Sequence, residues 1–149
     1  MIYLFLLFAM IFCHIFDDFY LQGQLSNFKQ KRWWADQGYI MSNKEKDLYS
    51  MTKKYHDKYR HDYIIALIIH AFSWAFMISL PLWVYSFLGN DIIQPVLVVT
   101  IIINTVLHAY IDNLKANKLK LNLVQDQILH IDQIVGTWLM CMVLLMVKG

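Results

Sequence analysis

The sequence predicts an all-α integral membrane protein: a four-transmembrane-helix, up-down-up-down bundle with a cytoplasmic amphipathic segment between helices 1 and 2. Three observations carry that expectation. Hydrophobic residues make up 58% of the chain, far above the proportion of an ordinary soluble domain. The apolar residues gather into four stretches of roughly 20 residues, the length a helix needs to cross a hydrocarbon core of about 30 Å. Charged residues concentrate between those stretches, mainly in residues 22–62 and 112–126.

The first span is expected at about residues 2–21. It has no basic leader and no small-residue cleavage site, and it carries His14, Asp17 and Asp18, so it reads as a retained helix and not as a signal peptide. The second is expected at about 63–88, with Pro81 as a kink. A short turn around Gly89 leads to the third, at about 92–111, and the fourth follows at about 127–147. The chain therefore forms one membrane domain, residues 1–149.

The long polar loop, residues 22–62, contains Trp33 and Trp34, which suit the headgroup boundary. Further along it, Leu48, Met51, Tyr55 and Tyr59 recur at spacings of three or four among lysines, the pattern of a basic helix lying on the membrane surface. Of the 13 Lys and Arg residues, most lie in this loop; three more, Lys115, Lys118 and Lys120, lie in the loop at 112–126. The positive-inside rule places both loops in the cytoplasm and both termini outside. The net charge of +2 is thus a topological signal, and no nucleic-acid partner is expected. Cys13 and Cys141 have no metal or redox spacing and fall at different depths, too far apart for a disulfide.

That topology aligns the ionisable residues. His14 and Asp18 are four apart near the inner end of helix 1, and His108 and Asp112 repeat the spacing on helix 3. Asp126 and His130 keep it on helix 4 with the order reversed. Helices 1 and 3 run toward the cytoplasm and helix 4 runs away, so reversal puts every histidine deeper and every aspartate about one turn, or about 5.4 Å, nearer the cytoplasm. His70 sits at a compatible depth on helix 2. Asp17 also shares a face with His14 and competes with Asp18 for a place in the cluster.

Buried carboxylates in a membrane cost about 2.5–3.5 kcal/mol each even on the lenient insertion scale, so they face the bundle and find partners. A divalent metal satisfies imidazoles and carboxylates together; the donor set suits Zn, with Fe, Mn or Ni as alternatives, and is large enough for one or two ions. Helical bundles hold such centres with inward-facing Glu, Asp and His side chains. Gln22, Lys115 and Gln127 lie beside the expected ligands as second-layer partners, with Asn104 a further candidate. Asp132 lies on another face of helix 4 and is expected to pair with a neighbouring helix; His56 and His61 belong to the solvated loop.

These motifs resemble a family of small bacterial and phage membrane proteins known as domain of unknown function 3307. The resemblance rests on His14-Ile-Phe-Asp-Asp18-Phe-Tyr-Leu-Gln22, His70, His108-Ala-Tyr-Ile-Asp112-Asn-Leu-Lys115 and Asp126-Gln127-Ile-Leu-His130. It selects Asp18 over Asp17, implies a bacterial inner-membrane setting, and brings no activity with it. The long Lys/Tyr-rich insertion before helix 2 departs from the family pattern.

The residues themselves suggest a metal-dependent hydrolase at the cytoplasmic interface, acting on an amphiphilic substrate such as a lipid or lipid-linked phosphoester. No Ser or Cys stands beside a matched base. The competing expectation is a non-enzymatic metal-binding membrane protein, a transporter or a partner-binding subunit, for which oligomers are conceivable; histidine-ligated haem is the third.

Overall fold

The structure, a computed structural model, describes residues 1–42 and 57–148. Among the described residues it is helical and contains no strand. Helix α1 covers Ile2–Phe16 and continues into a π-helical turn, Asp17–Leu21. The chain leaves that turn through Gly23, whose φ of +46° is a left-handed conformation that glycine adopts without a side-chain clash. Two shorter helices follow, α2 at Leu25–Phe28 and α3 at Lys31–Ser42. The long helices α4 (Asp62–Phe87), α5 (Gln94–Ala116) and α6 (Leu123–Lys148) complete the fold.

Four segments are long and apolar enough to cross a membrane: Ile2–Leu21, Asp57–Phe87, Asp91–Ala116 and Leu123–Val147. They coincide with the four expected spans, with one adjustment. Pro81 lies inside helix α4, as expected. Helix α5 runs on through Asp112 to Ala116 and α6 begins at Leu123, so Asp112, Lys115 and Asp126 belong to helices and the expected loop at 112–126 shrinks to a short turn. The basic surface helix expected between Asn43 and Arg60 lies outside the described residues, apart from the helical stretch beginning at Asp57; His56 is outside them too, and His61 is exposed.

The distribution of polarity is that of a lipid-facing bundle. Phe5, Phe8, Phe12, Ile65, Phe72, Ile102, Val106 and Val143 are exposed, while His14, Asp17, His70, His108, Asp112, Asp126 and His130 are buried. In water that arrangement would be costly on both counts; in a bilayer both are favourable. Since lipid tails are as apolar as leucine, the helices are held together by close packing and by polar contacts between them. The apolar half of the interior is built from Leu6 and Met10 of α1, Trp74, Ile78 and Leu82 of α4, Leu97 of α5, and Ile134 and Cys141 of α6. Trp138 of α6 donates its indole N–H to the Tyr3 carbonyl of α1 at 2.8 Å. Asn104 of α5 donates to the Thr137 hydroxyl of α6 at 2.8 Å, and so ties two helices together away from the histidines it was expected to support. Both cysteines are free thiols, Cys13 half-buried and Cys141 buried.

The polar half of the interior lies where the end of α1, the first part of α4, the second half of α5 and the start of α6 converge. Those four helix ends border the two connections that carry most of the lysines. The polar end is covered by the stretch joining α2 and α3, which is pinned to the end of α5. The Asn117 side chain donates to the Lys29 carbonyl at 3.1 Å and accepts from the Lys31 backbone N–H at 2.6 Å. Trp34 closes the stretch by donating to the Phe28 carbonyl at 2.7 Å.

Candidate metal centre

Helices α1, α4, α5 and α6 each deliver one histidine to this end, and the rings pack against one another. His108 stacks on Trp74 with centroids 4.1 Å apart and on His130 at 4.2 Å; His70 lies 5.1 Å from His108, and His14 lies 5.7 Å from His130. The four expected histidines are thus in one tier. Asp18, Asp112 and Asp126 form a second tier against it.

The distances between donor atoms are informative. Nε2 of His70 lies 3.1 Å from Nε2 of His108, 3.3 Å from Oδ2 of Asp112 and 3.5 Å from Oδ1 of Asp18. The amide of Gln22 also reaches it, at 2.9 Å, while donating to Oδ1 of Asp18 at 3.0 Å. One ring nitrogen forms one hydrogen bond, so this crowd of polar atoms exceeds what hydrogen bonding to it can use. Ligands about 2.1 Å from a tetrahedral ion lie about 3.4 Å from each other, which is the spacing seen here. His108 Nε2 to Asp112 Oδ2, at 3.8 Å, closes a triangle of donors.

His130 offers a second focus. It is fully buried, and neither of its ring nitrogens has a hydrogen-bond partner. Its Nε2 lies 3.6 Å from Oδ1 of Asp112 and 3.5 Å from Oδ1 of Asp126, itself buried and unpartnered. A buried polar group left unpaired costs about 1–3 kcal/mol, so the unpaired Nε2 of His130 and Oδ1 of Asp126, 3.5 Å apart, mark a place for a ligand. Two groups of residues here can hold a metal ion: Asp18 with His70 and His108, and His108 with Asp112 and His130. They share His108, whose Nε2 has a single lone pair and serves one ion only. The two oxygens of Asp112 face different partners, Oδ2 toward His70 and Oδ1 toward His130, so this carboxylate touches both groups.

His14 differs from the other three. Its Nδ1 accepts the indole N–H of Trp74 at 2.8 Å, and its Nε2 lies 3.0 Å from Oε1 of Gln127. An indole only donates, so the His14 proton sits on Nε2 and is given to Gln127. The Gln127 amide then donates to Oδ2 of Asp18 and Oδ2 of Asp126, each at 3.2 Å. A directed chain therefore runs Trp74 to His14 to Gln127 to two carboxylates, and it leaves Oδ1 of both turned toward the histidines. His14 reaches the tier expected of it, but both its nitrogens are engaged by protein groups.

The remaining candidates separate clearly. Lys115 donates to Oδ2 of Asp126 at 2.5 Å, and Gln22 and Gln127 contact the carboxylates as expected. Asp17 is buried but accepts from the Ser73 hydroxyl at 2.9 Å, on the side facing α4. Asp18, its neighbour in the chain and in the same π turn, instead meets Gln22 and His70. Asp132 is exposed on α6 and has no partner among the described residues, so the interhelical pairing expected for it is not found within them. Sequence reasoning missed two participants. Trp74 carried no signal beyond its position one turn after His70. Lys29, which donates to Oδ2 of Asp112 at 2.6 Å, reaches the centre only through the fold of the connecting stretch.

No family model, no curated protein and no solved structure matches this chain.

Proposed function

We propose that the protein is a metal-dependent hydrolase, with a dinuclear centre bridged by Asp112, working at the cytoplasmic face of a bacterial inner membrane on a lipid or lipid-linked ester. The observation that carries this reading is His130: a fully buried imidazole with both nitrogens unbonded, aimed at unpaired or shared carboxylate oxygens. His70, His108 and Asp18 would hold one ion and His130 and Asp126 the other. The second set supplies fewer protein donors and so leaves a position for water. A metal in such a place lowers the pKa of bound water and stabilises charge on an attacked ester, zinc being the first choice for these donors. Gln22, Gln127 and His14 would orient the ligands, and Lys115 would balance Asp126.

The membrane arrangement belongs to the same proposal. The four helices cross in alternating directions, both termini lie outside, and the lysine-rich connections lie in the cytoplasm, as the positive-inside rule favours. Membership of the domain of unknown function 3307 family is proposed on the motifs alone.

A non-enzymatic role in metal transport is the second reading, and the hydroxyls of the apolar half speak against it. Ser79 donates to the Ala75 carbonyl, Thr100 to Leu97 and Thr137 to Gln133, so each turns its proton back to its own helix instead of lining a path. Haem is disfavoured by packing, since Trp74 and His130 already cover the ring of His108.

The test is elemental analysis of the full chain purified in a phosphorus-free detergent without added metal. Close to two divalent ions per chain, with hydrolysis of a chromogenic ester that a chelator abolishes, would support the reading. Chain that takes up no divalent ion even when zinc is supplied would end it.

A further inference from the structure

Lys29 is held where a mobile surface lysine would not be. The Asn117 amide holds the Lys29 carbonyl and the Lys31 N–H, immediately after the lysine's own Cα, and the ammonium is carried over the end of α5 to Asp112. Its side chain is only 11% exposed, yet it has three N–H donors and one acceptor among the described residues. Lys115 is 34% exposed and likewise has a single acceptor, Asp126. Lys29 sits on Oδ2 of Asp112, the oxygen that also faces His70, and Lys115 on Oδ2 of Asp126, while the Oδ1 atoms of both carboxylates face the same nitrogen, Nε2 of His130. They therefore flank one focus from the polar side.

We infer that Lys29 and Lys115 form an oxyanion-binding subsite beside the proposed metal centre, and that its ligand is a phosphoryl group. The inference rests on the metal reading and specifies its substrate. Asp18, Asp112 and Asp126 carry three negative charges, and the two lysines return two positive ones. A divalent ion would make the sum positive, and a second would make it more so; among buried ligands such as Asp112, Asp126 and His130 that excess calls for an anion. Metal binding to Asp112 and Asp126 also draws charge from the carboxylates and loosens their hold on the ammonium groups. Two separate cationic side chains plus an ion are best met by a ligand with several oxygens around one atom. A phosphoryl group has three peripheral oxygens, whereas a carboxylate has two in one plane.

The test uses the full chain in maltoside micelles, loaded with zinc and freed of excess, with inorganic phosphate titrated calorimetrically. The expected result is saturable phosphate binding that weakens about tenfold or more in Lys29→Met and Lys115→Met, with zinc content unchanged and Lys29→Arg restoring the affinity. Asn117→Ala, which frees the segment carrying Lys29 but keeps the lysine, should weaken binding by less. Adding phosphatidate to the micelles identifies the source: displacement of free phosphate supports a lipid headgroup, and undisturbed phosphate binding supports a soluble ester. Zinc-loaded protein that binds no phosphate, or whose two Met variants bind it as tightly as the parent chain, overturns the subsite while the metal centre stands. Protein that cannot be loaded with zinc overturns both.

Discussion

The indole N–H of Trp74 lies 2.8 Å from Nδ1 of His14, and this one bond decides what His14 can do. It consumes the lone pair that a cation would need and leaves His14 as the donor that fixes Gln127. Trp74→Phe keeps the ring that stacks on His108 and removes the donor. The expected outcome is a loss of about 1 kcal/mol in stability and about tenfold to hundredfold weaker metal binding, the range for an outer partner of a ligand. Chemical unfolding and competition with a zinc indicator measure the two. An unchanged metal affinity would remove His14 and Gln127 from the orienting role.

Bridging by Asp112 predicts a pattern of stoichiometry. His70→Ala should lose one ion and His130→Ala the other, while Asp112→Ala loses both, because its two oxygens face the two foci separately. Metal content per chain, measured on folded protein, distinguishes this from a single ion, for which both histidine variants would be metal-free.

Adjacent aspartates should behave oppositely. Asp17→Asn keeps an oxygen to accept from Ser73 and should leave metal content intact. Asp18→Asn removes charge beside His70 and should weaken binding by about tenfold or more, the loss of one charged contact. Equal effects would mean that the two side chains do not divide as described.

Stripping the metal should destabilise the whole bundle, because the ligands come from every long helix. At a free metal concentration a hundredfold above the dissociation constant, linkage gives about 2.7 kcal/mol of stabilisation. The melting temperature in detergent should fall on chelation and recover when zinc is returned, but not when magnesium is, since magnesium prefers oxygen donors.

Much of this centre was legible before any coordinates. The four spans follow from the bilayer's demand for long apolar helices, and the reversed order of Asp126 and His130 against His14 and Asp18 anticipated that these histidines meet, as His14 and His130 do at 5.7 Å. Helix ends were less legible: Asp112 and Lys115 are polar, and polarity alone assigned them to a loop, whereas helical hydrogen bonding continues past them to satisfy backbone groups. Lys29 was hidden because its position depends on Asn117, remote in the chain, gripping a connecting stretch without periodicity. The engagement of both His14 nitrogens was hidden for a similar reason: spacing puts a residue on a face but says nothing about which neighbour reaches its lone pair first.

The π turn at Asp17–Leu21 carries a consequence for how this chain tolerates change in length. A π turn accommodates one more residue than the regular helix around it, and each residue of an α-helix advances about 100° around the axis. Excising a single residue from Asp17–Leu21 would let the segment relax into an ordinary helix, yet it would swing the remaining side chains away from α4 and α6. Point substitutions at lipid-facing Phe19 or Tyr20 should be absorbed with little effect. A one-codon deletion anywhere in Asp17–Leu21 should not be, and families descended from this chain would be expected to vary in letters at Phe19 and Tyr20 but never in number across the turn.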